Sequence, residues 1–145
     1  MPGQKRGSER LTAGFSLHPR LVADTIFVAD WALSRVVAMN DARYPWLILI
    51  PRPDGATEMF DLNAEDRRTM IEEIARASEG LKMLTAAAKT NVGALGNLVP
   101  QLHVHIVARK PGDAAWPGPV WGQGIAQRYE ASALDAFVRQ LVNAL

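Results

Sequence analysis

Two histidines spaced two residues apart, His103 and His105, are the side chains of this chain best suited to chemistry. A neutral imidazole near pH 7 can act as a nucleophile, a proton donor or a metal ligand. The pair lies in Gln101-Leu102-His103-Val104-His105-Ile106-Val107, polar at 101, 103 and 105 and apolar at 102, 104, 106 and 107. That is the period of a strand with one face in a core. It brings both imidazoles out on the other face, about 7 Å apart at ~3.3 Å of rise per residue, with Gln101 beside them. The third histidine, His18, has no chemical partner nearby. It reads as a surface or cap residue at a short helix running from Pro19 through Ala23.

Two chemistries fit the pair. His-x-His on a strand is half of many zinc, copper or iron sites, but a closed site needs a third and usually a fourth ligand. Only His18 and scattered carboxylates are on offer, at no spacing that completes a set, so neither a metal nor a cofactor is expected. The other chemistry is nucleophilic. One imidazole attacks an electrophile, and the second, two residues on, donates to an oxygen of the substrate or leaving group. Gly96-Asn97 allow a left-handed or bulged backbone whose amides face an anion. Those amides and the Gln101 side chain are candidates to stabilise added negative charge. Arg43, Arg52 and Arg109 are possible phosphate contacts, although exposed arginine is the ordinary case.

The elements that must hold these residues follow from pattern. Thr25–Ala29, Arg35–Met39 and Trp46–Ile50 are β-branched or apolar runs and read as strands, the third apolar on both faces and closed by Pro51. Asn40-Asp41 opens a turn before it. From Asn63 the period changes. Met70, Ile74, Ala77, Leu81, Leu84 and Ala88 form one helical stripe, capped by Asn63 with Glu65 and Asp66 in the first turn. Its charged residues, Glu72, Glu73 and Arg76 among them, read as a solvated face. Lys89–Leu95 is a further strand weakened by Gly93. After the histidine strand, Pro111–Gly124 is irregular and holds Trp116 and Trp121. The chain ends in a helix capped by Ser132, with Leu134, Phe137, Val138, Leu141 and Leu145 as its apolar face. Strands and helices that do not alternate as βαβ units point to an α+β fold: an antiparallel sheet of about five strands with one long and one C-terminal helix.

Composition bounds the function. The chain has 145 residues, 48% of them hydrophobic and 21% charged, with a net charge of +1 and no cysteine. One domain over 14–145, preceded by a flexible tail over 1–13, is the expected organisation. Near-zero charge implies no strong pull on a nucleic acid polymer or a membrane surface. Disulfide and thiolate chemistry are excluded. Met1–Arg10 lacks the apolar core of a secretory signal, and nothing approaches the ~20 apolar residues of a membrane span. A cytoplasmic location is expected.

Asn91-x-Gly93, a short glycine turn and then the Gln101–Val107 run together resemble the histidine-triad (HIT) family of nucleotide hydrolases and transferases. That family's signature is His-φ-His-φ-His-φ-φ, with φ apolar. Asn40-Asp41 ahead of Trp46–Pro51 is similar to the family's ribose-binding strand pair, and the likeness spans roughly residues 25–110. It implies a HIT-like fold and a nucleotide pocket formed with Asn40, Asp41, Asn91, Gly96 and Asn97. By position it makes His103 the nucleophile on the α-phosphate of a nucleoside phosphoramidate or dinucleoside polyphosphate, through a nucleotidyl-histidine intermediate. It also implies a homodimer. Tryptophan enrichment at interfaces agrees with that, and places the 111–124 segment near the contact or the pocket mouth. The sequence departs from the family at three places. Gln101 stands for the first histidine of the triad, and Trp46 for an upstream histidine. Asn97 and Leu98 replace the usual glutamine and serine of the turn. Glutamine hydrogen-bonds but carries no proton between pH 5 and 8. The alternatives are therefore a nucleotide-binding module without turnover, or a His-x-His metal-binding protein.

Overall fold

Trp46-Leu47-Ile48-Leu49-Ile50-Pro51 is buried at all six positions, so both faces of this strand need cover, and the rest of the fold supplies it. The computed structural model describes residues 14–145; the tail expected over 1–13 lies outside the described residues. The strands are β1 (Thr25–Asp30), β2 (Ser34–Met39), β3 (Trp46–Pro51), β4 (Lys89–Gly93) and β5 (Val104–Arg109). They form one sheet in the order β1-β2-β3-β5-β4, with every neighbouring pair antiparallel. The α+β architecture is as the sequence indicates, with β5 second from one edge.

Alternation divides the sheet into two cores. Leu47 and Leu49 of β3, Val104, Ile106 and Ala108 of β5, and Val36 and Ala38 of β2 face the helices. There α2 (Ala64–Thr85) buries Met70, Ala77 and Leu81 against them. Asn63 caps this helix by accepting from Asp66 N at 2.8 Å, and Ala86 ends it in a left-handed conformation, so Ala88 lies beyond its stripe. The terminal helix α3 (Ala131–Ala144) packs Leu141 onto the same core. Its cap position is Glu130, not Ser132, because the helix begins one residue before that serine. The two helices approach closely at Gly80, where an added Cβ would meet Leu145 Cδ2 at 2.6 Å and displace that side chain.

One expectation for α2 fails. Glu73 is not solvated. It is 6% exposed and accepts from the backbone amides of Leu33 and Ser34, each at 3.0 Å. It thereby satisfies donors that the β1–β2 turn leaves without a strand partner.

The opposite face of the sheet carries Val37, Trp46, Ile48, Ile50 and Val107. Among the described residues no long helix covers it. Tyr44, Val99, Val120 and Leu21 do, the last from α1 (Pro19–Asp24), whose cap is His18 accepting from Arg20 N at 3.1 Å. Irregular cover leaves room for a cleft. The histidine strand also begins later than its alternation implies. Leu49 pairs with Val104 and Gly93 with His105, and there both ladders end. Leu102 N instead donates to Ala56 O at 2.9 Å. Gln101, Leu102 and His103 therefore form a bent lead-in rather than the first residues of β5.

Candidate active site

His103 and His105 meet in a cleft of ≈ 520 Å³ on this second face. Their ring centroids lie 4.9 Å apart with planes at 69°. Both are largely buried, at 7% and 6% exposure. Nδ1 of His103 is 2.6 Å from the carbonyl oxygen of Gln101. A carbonyl only accepts, so Nδ1 carries the proton, and in the neutral ring Nε2 keeps its lone pair. The bent lead-in makes this contact possible, since it is local, two residues back along the same chain.

His105 holds the opposite tautomer. Its Nδ1 accepts from the indole Nε1–H of Trp46 at 3.0 Å. Indole only donates, so the proton of His105 sits on Nε2. Burial, and the neighbouring His103 ring, push its pKa down from 6.5 to about 3. The ring stays neutral at physiological pH. Trp121 closes another side of it, 5.4 Å from His105 and 6.4 Å from Trp46, both edge-on. That tryptophan packs closely on Gly93, where an added Cβ would meet its Cη2 at 3.0 Å and push the ring back by a few tenths of an ångström.

Gln101 does not line the cleft: its carbonyl holds His103 and its side chain is used elsewhere. Nε2 donates to Ser16 O at 2.9 Å and Oε1 accepts from His18 N at 2.8 Å. The amide group is thus taken up in tying down the segment before α1. Gly96 and Asn97 line the cleft, and the φ of +76° at Gly96 is one that L side chains rarely adopt.

Asn40 and Asp41 line it too. Asn40 Oδ1 accepts from Tyr129 N at 2.9 Å. The Asp41 carboxylate receives Arg43 Nη2 at 2.8 Å and Nε at 3.0 Å, with the amides of Arg43 and Gln127 at 3.1 and 3.4 Å. Burial pushes this carboxyl up, but the Arg43 guanidinium and the two amides outweigh it and hold the pKa below the usual carboxylate range. Arg43 Nη1 also donates to Gln123 O at 2.6 Å, which ties the 122–127 segment across the cleft.

The remaining residues are placed otherwise than expected. Asn91 does not line the cleft; its Oδ1 accepts from Arg109 Nη1 at 2.8 Å. Arg109 is no surface charge. It is 1% exposed, paired with Asp113 at 2.7 Å and bonded to Gly118 O at 2.8 Å. Arg52 is buried as well, held by the carbonyls of Trp31 and Ala32 and by Asp30. Neither guanidinium lines the cleft. Of the two tryptophans in the irregular segment, Trp121 is anchored in the cleft and Trp116 is 39% exposed. Among the described residues no group of three His, Asp or Glu could hold a metal ion, and no helix is long and apolar enough to cross a membrane.

The HIT domain model matches residues 20–112 of this chain. The chain belongs to the HIT family. A histidine triad protein from Bradyrhizobium japonicum is 48% identical, with a TM-score of 0.87 over 90% of this chain and 97% of that one. One from Sinorhizobium meliloti 1021 is 41% identical, with a TM-score of 0.90 over 92% and 99%. A third, from Marinobacter aquaeolei VT8, is 42% identical, with a TM-score of 0.88 over 90% and 96%. No curated protein matches the chain. Within the HIT pattern, one contributor to this site was not expected as such, the Trp46 indole as a partner of His105; Trp121 belongs to the 111–124 segment expected near a subunit contact or the pocket mouth, and it lines the cleft. The signal for Trp46 lay in the resemblance alone, which aligns it with an upstream histidine of the family.

Proposed function

We propose that this HIT protein is a nucleotide hydrolase or transferase in which His103 Nε2 attacks the α-phosphate of a nucleoside phosphoramidate or dinucleoside polyphosphate. The observation that carries this reading is the contact between His103 Nδ1 and the Gln101 carbonyl, which leaves Nε2 free to bond phosphorus. Attack gives a nucleotidyl-histidine, and water then releases the nucleoside monophosphate. His105 donates its Nε2–H to a phosphate oxygen, and the backbone around Gly96 and Asn97 supports the added charge. Asn40 and Asp41 stand at the sugar end, with Arg43 keeping the Asp41 carboxylate ionised and oriented toward the 2′- and 3′-hydroxyls. The protein works on small nucleotides in the cytoplasm as a homodimer, with the exposed Trp116 near the contact. Light scattering over a dilution series tests the dimer, and a monomer at every concentration contradicts it.

Incubation with a nucleoside phosphoramidate and with a dinucleoside polyphosphate, followed by chromatography of the products, tests the reaction. Release of nucleoside monophosphate from either supports it. Binding without turnover makes the protein a nucleotide-binding module.

A further inference from the structure

Trp46 is buried like an ordinary core residue, at 6% exposure, yet its one polar atom is spent on His105. With the indole donating to Nδ1, the His105 proton is confined to Nε2. A second proton would have to enter at Nδ1, where it would face the Trp46 N–H, donor against donor. The space is closed by rings: Trp46 at 5.6 Å, Trp121 at 5.4 Å and His103 at 4.9 Å. Among the described residues no carboxylate hydrogen-bonds to either imidazole, so no anion is bonded to His105 to stabilise its cation. Asp41 and Asp24, the carboxylates lining the cleft, are paired with Arg43 and Arg128. The low pKa of His105 agrees with this geometry. Gln101 cannot supply a proton either.

We propose that Trp46 is a positioning residue that locks His105 as a neutral Nε2–H donor, and that the site is thereby restricted to substrates whose leaving group departs as an anion. This rests on the nucleotidyl-transfer reading above and narrows its substrates. His103 Nε2 forms the bond to the α-phosphorus as the bond from phosphorus to the bridging oxygen breaks. That oxygen keeps the electron pair and leaves as phosphate, polyphosphate or an acidic phenolate, with no proton taken from the protein. His103 remains as an N-phosphorylated imidazolium, its Nδ1–H still on the Gln101 carbonyl. Water then attacks phosphorus, the P–N pair returns to Nε2, and the water proton passes to solvent. His105 gives a hydrogen bond throughout. An alkoxide or alkylamide leaving group needs a proton that this arrangement does not hold.

Two readouts test the proposal. The first is the imidazole ¹⁵N–¹H correlation spectrum of the full chain. His105 is expected as a single neutral Nε2–H tautomer, unchanged over the range of about pH 5 to 8 in which histidines ordinarily titrate. In Trp46→Phe the indole donor is gone, and His105 should show mixed tautomers or begin to titrate in that window. The second is kcat/KM for nucleoside 5′-phosphate aryl esters with progressively less acidic phenols. A positioned general acid contributes typically about 100-fold or more, so from 4-nitrophenyl to phenyl the wild-type rate should fall by at least about that factor. Trp46→His, which restores a protonatable ring, should flatten the series. A wild-type His105 with its proton on Nδ1, or one titrating between pH 5 and 8, overturns the proposal, as does a flat wild-type series. If no ester is cleaved, the transferase reading and the leaving-group restriction fall together, and the wild-type spectrum alone decides the role of Trp46.

Discussion

The carbonyl oxygen of Gln101 lies 2.6 Å from Nδ1 of His103, and this contact leaves Nε2 as the ring nitrogen that keeps its lone pair. Gln101, which the resemblance aligns with the first histidine of the HIT pattern, thus reaches the proposed nucleophile through its backbone. Its side chain holds the Ser16–His18 segment.

Gln101→Ala is expected to remove two hydrogen bonds while keeping the carbonyl. The loss is about 1–3 kcal/mol of stability in total, read as a lowered Tm, with turnover largely retained. Gln101→His should also remain active. If Gln101→Ala is as stable as the parent but inactive, the side chain takes part in the chemistry.

Arg109 and Asp113 form an ion pair with side chains 1% and 4% exposed. Arg109→Ala strands the carboxylate and should cost about 3–5 kcal/mol in urea unfolding at pH 7. The Arg109 guanidinium holds the Asp113 pKa down at about 2, against 3.8 ordinarily, with burial opposing and the Lys110 and Ala115 amides assisting. A depressed folded-state pKa stabilises above the unfolded value, so this contribution is complete above about pH 4 and disappears as pH falls toward 2. Unfolding curves across that window should show the loss in the parent and a weaker one in Arg109→Ala.

Asn40 and Asp41 are proposed to read the ribose. A nucleoside monophosphate should then bind more tightly than its 2′,3′-dideoxy counterpart, and Asp41→Asn should narrow the gap. Equal affinity of the parent for both ligands reduces Asn40 and Asp41 to a hairpin turn braced by Arg43. Calorimetric titration decides between the two.

Much of the fold was legible because burial imposes periods. Trp46–Ile50 is apolar on both faces and became the centre of the sheet, and the four-three stripe of α2 gave the long helix. What escaped depended on register and on loops. Glu73 looks solvated in a helical pattern, and only the amides of Leu33 and Ser34, some forty residues upstream, explain its burial. Arg109 ends a strand as a surface charge would, but its partners come from β4 and from the following loop. His103 and His105 were visible as a pair. That they hold opposite tautomers was not, because one is set by a backbone carbonyl and the other by an indole on a neighbouring strand.

The proposed reaction depends above all on His103 as a covalent nucleophile. Rapid acid-free quenching of the protein with a labelled dinucleoside polyphosphate, followed by peptide mass spectrometry, tests it directly. The expected result is a nucleotidyl adduct on the peptide containing His103, absent from folded His103→Ala, whose turnover falls by several powers of ten. Near-normal turnover in folded His103→Ala, or an adduct on another residue, contradicts it.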